Sequence, residues 1–174
     1  MVSMKDIKVG KLVLNIGAGK NTDRLEKGVK LLKMISGKPP VKTKTSKRIA
    51  AWGIRPGLPI GCKVTIRGPE AAELLKRLLG GVDNKLSLQN FDGFGNISFG
   101  VLEYIDIPGM DYDPEIGVIG FQVSVTLERP GYRVMRRRLL KRPVSRHHRI
   151  SKEEAVSFLK ENFNLMLKEE EAEK

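Results

Sequence analysis

The segment Ile60-Gly-Cys-Lys-Val-Thr-Ile-Arg67 alternates apolar and polar side chains, which is the pattern of a half-exposed β-strand. Its even-numbered residues are apolar. Lys63, Thr65 and Arg67 fall on the opposite face, because strand side chains alternate with a period of two. The segment therefore predicts a sheet with one face in the core and one face that carries charge and hydroxyl groups.

This strand lies inside an acid-free run, residues 27–69, which carries eleven Lys or Arg. A second run, residues 129–150, holds nine Lys or Arg, two His and no acid. The formal charge of the 174 residues is +12, so the rest of the chain, including the acidic residues at 169–173, is net negative. Solvated surfaces usually mix both signs of charge. We interpret both runs as binding surfaces for a polyanion, and nucleic acid is the commonest cellular candidate.

The length and the 40% hydrophobic content predict one domain. Cys62 is the only cysteine and lies on the apolar face of the strand, so we expect a small buried hydrophobe there and not a reactive thiol. The first residues lack the apolar segment of a signal peptide, and no stretch approaches the roughly 18 apolar residues of a membrane span. We expect a soluble cytoplasmic protein with no membrane partner.

Periodicity along the chain predicts strands at residues 8–16, 41–44, 60–67, 97–104 and 119–127. Helices are expected at 23–36, from Pro69 to the Gly80-Gly81 pair, and from residue 151 onward, while 134–141 is compatible with a short helix. Asp23 with Glu26, and Ser151 with Glu154, have the spacing of N-terminal capping pairs. The expected buried stripes are Ala72, Leu75, Leu78 and Leu79 in the second helix and Ala155, Phe158, Leu159, Phe163 and Met166 in the last.

Adjacent strands without an intervening helix imply antiparallel pairing. We therefore predict an α+β fold: a mainly antiparallel five-stranded sheet with helices packed on one face and the other face free to bind RNA. Residues 1–128 are expected to form the RNA-binding α+β domain. Residues 129–174 would add a basic extension and a C-terminal helix packed on the same domain.

No motif predicts catalysis, and we expect no cofactor and no metal. Gly17-Ala-Gly-Lys20 resembles a phosphate loop, but Leu14 and Asn21 stand where such a loop has Gly and Ser or Thr. Asp92 suits a local turn in which its side chain accepts backbone amides. The low aromatic content, 6%, favours structured RNA over a single-strand ligand. An RNA-modifying enzyme and a general nucleic-acid chaperone are the alternatives.

Four segments, in order and spacing, resemble the universal large-subunit ribosomal protein five family over residues 8–127. They are Val13-Leu-Asn-Ile-Gly-Ala-Gly19, Ile35-Ser-Gly-Lys-Pro-Pro-Val-Lys-Thr-Lys44, Gly53-Ile-Arg-Pro-Gly-Leu-Pro-Ile-Gly-Cys-Lys-Val-Thr-Ile-Arg-Gly68 and Phe91-Asp-Gly-Phe-Gly-Asn96. The basic extension and final helix are similar to those of archaeal members. The resemblance implies a non-catalytic protein that binds 5S rRNA through its sheet face and helps attach it to large-subunit rRNA in the central protuberance. It also implies contact with peptidyl-site tRNA and with neighbouring ribosomal proteins of the central protuberance and inter-subunit bridge.

The resemblance also suggests individual contact residues. In that family an Asn on the first strand, a Gln after the first helix and a Thr on the long strand contact 5S rRNA; Asn15 and Thr65 match, while Lys38 stands where Gln is usual. The expected 5S rRNA-binding residues are Asn15, Lys38, Thr43, Lys44, Lys47, Lys63, Thr65 and Arg67. The expected tRNA-facing loop contains Ala51, Trp52, Gly53 and Arg55, with Trp52 either exposed or part of the core. Additional rRNA contacts are expected at Phe91, Asn96, Arg133, Arg136, Arg137, Arg138, Arg142, Arg146, His147, His148 and Arg149.

Overall fold

The computed structural model describes residues 3–168, so the acidic residues at 169–173 lie outside the described residues. The strands are β1 (Lys8–Gly17), β2 (Val41–Lys44), β3 (Pro59–Ile66), β4 (Lys85–Leu86), β5 (Asn96–Val101), β6 (Phe121–Glu128) and β7 (Met166–Leu167). The helices are α1 (Thr22–Ser36), α2 (Pro69–Gly80), α3 (Arg133–Arg136) and α4 (Lys152–Phe163). Five strands form an antiparallel sheet in the order β2-β3-β1-β6-β5, which confirms the predicted α+β class.

One face of this sheet carries the core. Helix α1 packs on β3 and β1, and α2 packs on β1. The approach of α1 is close, because a Cβ at Gly28 would lie only 3.1 Å from Sγ of Cys62. Cys62 is buried as predicted, and burial raises the pKa of its thiol, partly opposed by the positive charge of Lys42.

The helix α1 starts one residue before the predicted position, and its N-cap lies two residues before the predicted one. Asn21, not Asp23, is the N-cap: its side-chain oxygen accepts the backbone amides of Asp23 at 3.0 Å and Arg24 at 3.2 Å. Asp23 instead lies in the first turn, where its negative charge suits the helix dipole. The helix ends at Gly37, whose φ of 66° is left-handed.

The buried stripe of α2 is also shifted from the prediction. Ala72 is only half-buried, because the face that meets the sheet is centred one residue earlier along the helix. The buried positions keep the helical spacing of three and four residues. They are Ala71, Leu74, Leu75, Leu78 and Leu79.

The last helix begins where the sequence predicts. Ser151 and Glu154 form the capping box, with Glu154 N donating to Ser151 Oγ at 3.2 Å and Ser151 N donating to Glu154 Oε2 at 3.0 Å. The prediction for Met166 was wrong, since the helix ends at Phe163 and Asn164 turns the chain with a φ of 52°. Met166 is exposed and lies in β7, which pairs in parallel with β4.

Two further predicted boundaries were too long. Strand β5 ends at Val101 and not at residue 104, because its partner β6 begins at Phe121, which is the residue opposite Val101. Within 134–141 only the first turn is helical, as α3 stops at Arg136 and the chain beyond it is irregular. No helix within residues 3–168 is long and apolar enough to cross a membrane.

Candidate RNA-binding surface

The sheet face opposite α1 and α2, here called the open face, carries mostly small and polar side chains. It exists because alternate residues of each strand point away from the core. The antiparallel registers align these residues across the strands: Lys63 lies opposite Asn15, and Asn15 lies opposite Gln122. The open face comprises Lys11, Val13, Asn15, Val41, Thr43, Lys63, Thr65, Asn96, Ser98, Gly100, Gln122, Ser124 and Thr126.

Most side chains of the open face are short, and several carry hydroxyl groups. Ser98 Oγ and Ser124 Oγ lie 3.3 Å apart on neighbouring strands. Gly61 has no room for a side chain, since a Cβ there would lie 2.7 Å from the carbonyl oxygen of Ile16. Where the side chains are short, such a surface can approach a broad, shallow partner closely, and flexible side chains such as Lys63 can move aside or contact the partner. The minor groove of an A-form RNA helix is such a partner and displays 2′-hydroxyl groups.

The structure brings together four residues of the predicted 5S rRNA set, Asn15, Thr43, Lys63 and Thr65, on the open face. Arg67 follows β3 directly, while Lys44, the last residue of β2, and Lys47 are exposed. Lys38 lies apart from them and forms an ion pair with Glu70 at the start of α2. Within residues 3–168, Lys63 and Arg67 form no ion pair, so their charges remain available to an anion.

The loop predicted to face tRNA is held closed by its own backbone. Ile49 and Ile54 exchange two hydrogen bonds of 3.0 Å, and Gly53 between them has a left-handed φ of 66°. Ile54 is buried and anchors the loop to the domain. Trp52 is 65% exposed, so its ring is not part of the core. Ala51, Gly53 and Arg55 are exposed with it.

Residues 129–150, here called the basic arm, are tied down by Arg129. This side chain is only 8% exposed. Its guanidinium donates to the Lys5 carbonyl at 3.1 Å, the Arg149 carbonyl at 3.3 Å and Glu154 Oε1 at 2.7 Å. The Ser151 amide, and after it Arg129, hold the pKa of Glu154 below its usual range. The first and last residues of the basic arm are therefore fixed to each other and to α4.

His148, which was predicted to contact rRNA, is half-exposed and also has a structural position. Its ring Nε2 lies 2.8 Å from the Pro130 carbonyl, and the ring meets Tyr132 edge-on. The Tyr132 hydroxyl donates to the His148 carbonyl and accepts the Ile150 amide, both at 3.2 Å. Burial raises the pKa of Tyr132. These bonds join the first residues of the basic arm to its last residues. The neighbouring His147 is exposed.

Phe91 also differs from its prediction, because its ring is 5% exposed and belongs to the core. In the same loop Asp92 behaves as predicted: its Oδ1 accepts the amides of Phe94 at 2.8 Å and Asn96 at 2.7 Å. Phe94 was missed by sequence reasoning, yet it is 60% exposed and has the Arg149 guanidinium 5.7 Å from its ring centroid. A large aromatic residue between two glycines of a polar loop was the signal available.

The remaining arginines predicted to contact rRNA are mostly at the surface. Arg136 is half-exposed and pairs with Glu128 at 2.8 Å. The exposed members are Arg133, Arg137, Arg138, Arg142 and Arg146. No three His, Cys, Asp or Glu side chains converge as a metal site within the described residues.

A sheet with one polar face, bordered by a fixed basic arm, is typical of proteins that bind a polyanion. Residues 3–55 match ribosomal protein L5, and residues 59–158 match the C-terminal region of the same ribosomal protein family. The chain therefore belongs to the L5 family of ribosomal proteins.

Curated relatives cover almost the whole chain. It is 46% identical to large ribosomal subunit protein uL5 of Sulfolobus acidocaldarius, over 95% of this chain and 93% of that protein. The identity to the protein of the same name from Nanoarchaeum equitans is 49%, over 94% and 97% of the two chains. For Methanobrevibacter smithii it is 41%, over 95% and 97%. These similarities confirm the archaeal type, and the family comprises non-enzymatic, cytoplasmic constituents of the large ribosomal subunit.

Proposed function

We propose that this protein binds 5S rRNA through its open face and helps attach it to large-subunit rRNA in the central protuberance. The observation that carries the proposal is the row of Lys63, Asn15 and Gln122 across three strands. It places a cation beside two amides that can both donate and accept hydrogen bonds. Such groups suit phosphate, ribose and base edges in a shallow groove.

The basic arm is proposed to bind large-subunit rRNA. Its arginines project from a segment whose ends are fixed by Arg129, so a partner need not order the whole arm on binding. The charge of the arm favours phosphate contacts, which position a protein on RNA without reading sequence.

The loop bearing Trp52 is proposed to contact peptidyl-site tRNA. An exposed indole and the exposed guanidinium of Arg55 can both stack on bases or ribose. Neighbouring ribosomal proteins of the central protuberance and inter-subunit bridge are proposed as further partners, on the strength of the family alone.

Thr65→Val tests the use of the open face. The substitution removes one hydroxyl from a half-buried strand position and keeps the side-chain shape, so the fold is expected to persist. One lost hydrogen bond of about 0.5–1.5 kcal/mol corresponds to roughly a threefold to tenfold weaker affinity. Filter binding of the full chain to 5S rRNA measures this change. Thr22→Val, at the exposed start of α1, is the matched control.

Unchanged affinity in Thr65→Val would place the RNA site on another surface. A salt series adds an independent reading, because each neutralised phosphate contributes roughly 0.7–0.9 to the negative slope of log affinity against log salt. Unrelated duplex RNA serves as competitor. Equal competition by that duplex would identify a general nucleic-acid chaperone instead of a specific 5S rRNA ligand.

A further inference from the structure

A cavity of about 360 Å³ lies where the open face meets the basic arm. Asn96 and Thr126, which are opposite each other on β5 and β6, contribute its polar side. Phe94 and Arg149 stand on one side, and Tyr132 and Val144 of the basic arm also line it. The volume lies within the roughly 300–1,000 Å³ typical of small-molecule sites.

The lining combines a flat surface with a few hydrogen-bonding groups. The Phe94 ring is exposed, and the guanidinium of Arg149 lies 5.7 Å from its centroid. Arg149 is oriented by a bond from its Nε to the Val144 carbonyl at 3.1 Å. A planar ligand could stack on either group, since aromatic rings and guanidinium planes both stack on nucleobases.

The polar groups of the cavity have unused hydrogen-bonding capacity. Asn96 donates its amide to Asp92 Oδ2 at 2.6 Å, which leaves its carbonyl oxygen as an acceptor. The Thr126 hydroxyl has no side-chain partner among residues 3–168. The one lining carboxylate, Glu128, is paired with Arg136 at 2.8 Å and therefore does not repel a phosphate nearby.

We propose that this cavity binds a single unstacked nucleobase of the bound RNA. The inference rests on the proposed RNA-binding function and adds a base-specific site to a surface otherwise suited to phosphate and ribose. The base would stack on Phe94 and Arg149, and its edge would meet Thr126 and Asn96. The arginines of the basic arm would hold the phosphates on either side of the base. A neutral apolar peptide has no phosphates and would gain nothing from these arginines, so RNA is the better occupant.

The test compares two fluorescein-labelled oligomers with the full chain by fluorescence anisotropy. One is pentauridylate, and the other is the same backbone with every base replaced by hydrogen. Stacking on one aromatic side chain should make pentauridylate bind about tenfold more tightly than the abasic oligomer. Phe94→Leu should remove most of this preference. Tyr112→Leu is the matched control, because Tyr112 is 55% exposed, outside the cavity and outside both acid-free runs.

Thr126→Val gives a second reading that does not depend on the loop around Phe94. It removes the hydroxyl, keeps the strand residue β-branched, and should lower the preference about threefold. Equal binding of both oligomers by the wild type, or an unchanged preference in Phe94→Leu, would overturn the base site. If the two oligomers bound equally and their binding weakened with salt, the base site would be wrong but the RNA-binding function would still be supported. Binding of neither oligomer at low salt would also overturn the base site, whereas the RNA-binding function is tested separately by filter binding to 5S rRNA.

Discussion

Arg129→Met is expected to destabilise the protein by loosening both ends of the basic arm. Methionine keeps much of the apolar stem of the arginine, so the substitution mainly removes the guanidinium. That group makes hydrogen bonds to the carbonyls of Lys5 and Arg149 and a 2.7 Å ion pair with Glu154. The Met side chain provides no donor to replace them.

The size of the effect follows from burial. Removing one partner of a fully buried ion pair costs about 3–5 kcal/mol. The Glu154 side chain is 43% exposed and can be hydrated, which lowers that cost. The carbonyls of Lys5 and Arg149 each lose a charged donor, at about 1 kcal/mol or more. We expect a loss of about 2–4 kcal/mol in the free energy of unfolding.

Urea denaturation followed by circular dichroism measures this loss. With a slope of about 2 kcal/mol per molar urea, the midpoint should fall by roughly 1–2 M. Arg138→Met is the matched control, because Arg138 is exposed and its substitution should change stability by less than about 0.5 kcal/mol. Equal midpoints for the two variants would refute the role given to Arg129.

The ion pair between Arg129 and Glu154 also predicts how the stability depends on pH. The pKa of Glu154 is lowered in the folded protein, first by the Ser151 amide and then by Arg129. Its contribution is therefore present above the unfolded pKa of about 4.3 and is lost as the pH falls through the folded value. The stability difference between wild type and Arg129→Met should narrow below about pH 4. If the stability difference between the two proteins stayed constant as the pH fell below about 4, the ion pair would not be the source of the pH dependence.

Two further substitutions test the sheet and the loop. Gly61→Ala should lower stability by about 1–3 kcal/mol in thermal denaturation, because the new Cβ would meet the Ile16 carbonyl at 2.7 Å. Its partner in register, Gly17, has open space around it, so Gly17→Ala is the control, and equal melting temperatures would contradict the steric argument. Trp52→Ala should leave the melting temperature nearly unchanged and weaken tRNA binding at least about fivefold in a filter assay. A marked loss of stability would mean that the indole packs on the domain.

The sequence was sufficient for the sheet but not for the details of its ends. Alternation over residues 60–67 correctly predicted the burial of Cys62, Val64 and Ile66, since the period of two depends only on the strand itself, while Ile60 near the start of β3 is half-buried. The ends of β5 and α4 depend on where a partner strand begins and where Asn164 turns the chain, and neither is encoded in local periodicity. The two-residue strands β4 and β7 are too short to show any period.

The residues of the candidate site were likewise predictable only in part. Charge alone placed the two basic runs, and the motifs placed Asn15 and Thr65 on one face. Neither could show that His148 bonds to Pro130 or that Phe91 lies in the core while Phe94 is exposed. These outcomes depend on contacts within the basic arm and on packing between residues distant in sequence, such as Arg149 and Phe94.

The two acid-free runs, far apart in sequence, meet where β3 and β6 end, on either side of β1. Strand β6 pairs with β1 and leads directly into the basic arm, while β1 also pairs with β3. As a result Arg67 of the first run and Arg136 of the second line the same depression, together with Glu128, which pairs with Arg136. Glu128 fits there because Gly10 of the neighbouring strand β1 has no side chain: a Cβ would lie 2.4 Å from the Glu128 Cδ. One carboxylate offsets only part of this charge, so an anion bound here gains the attraction of both runs at once.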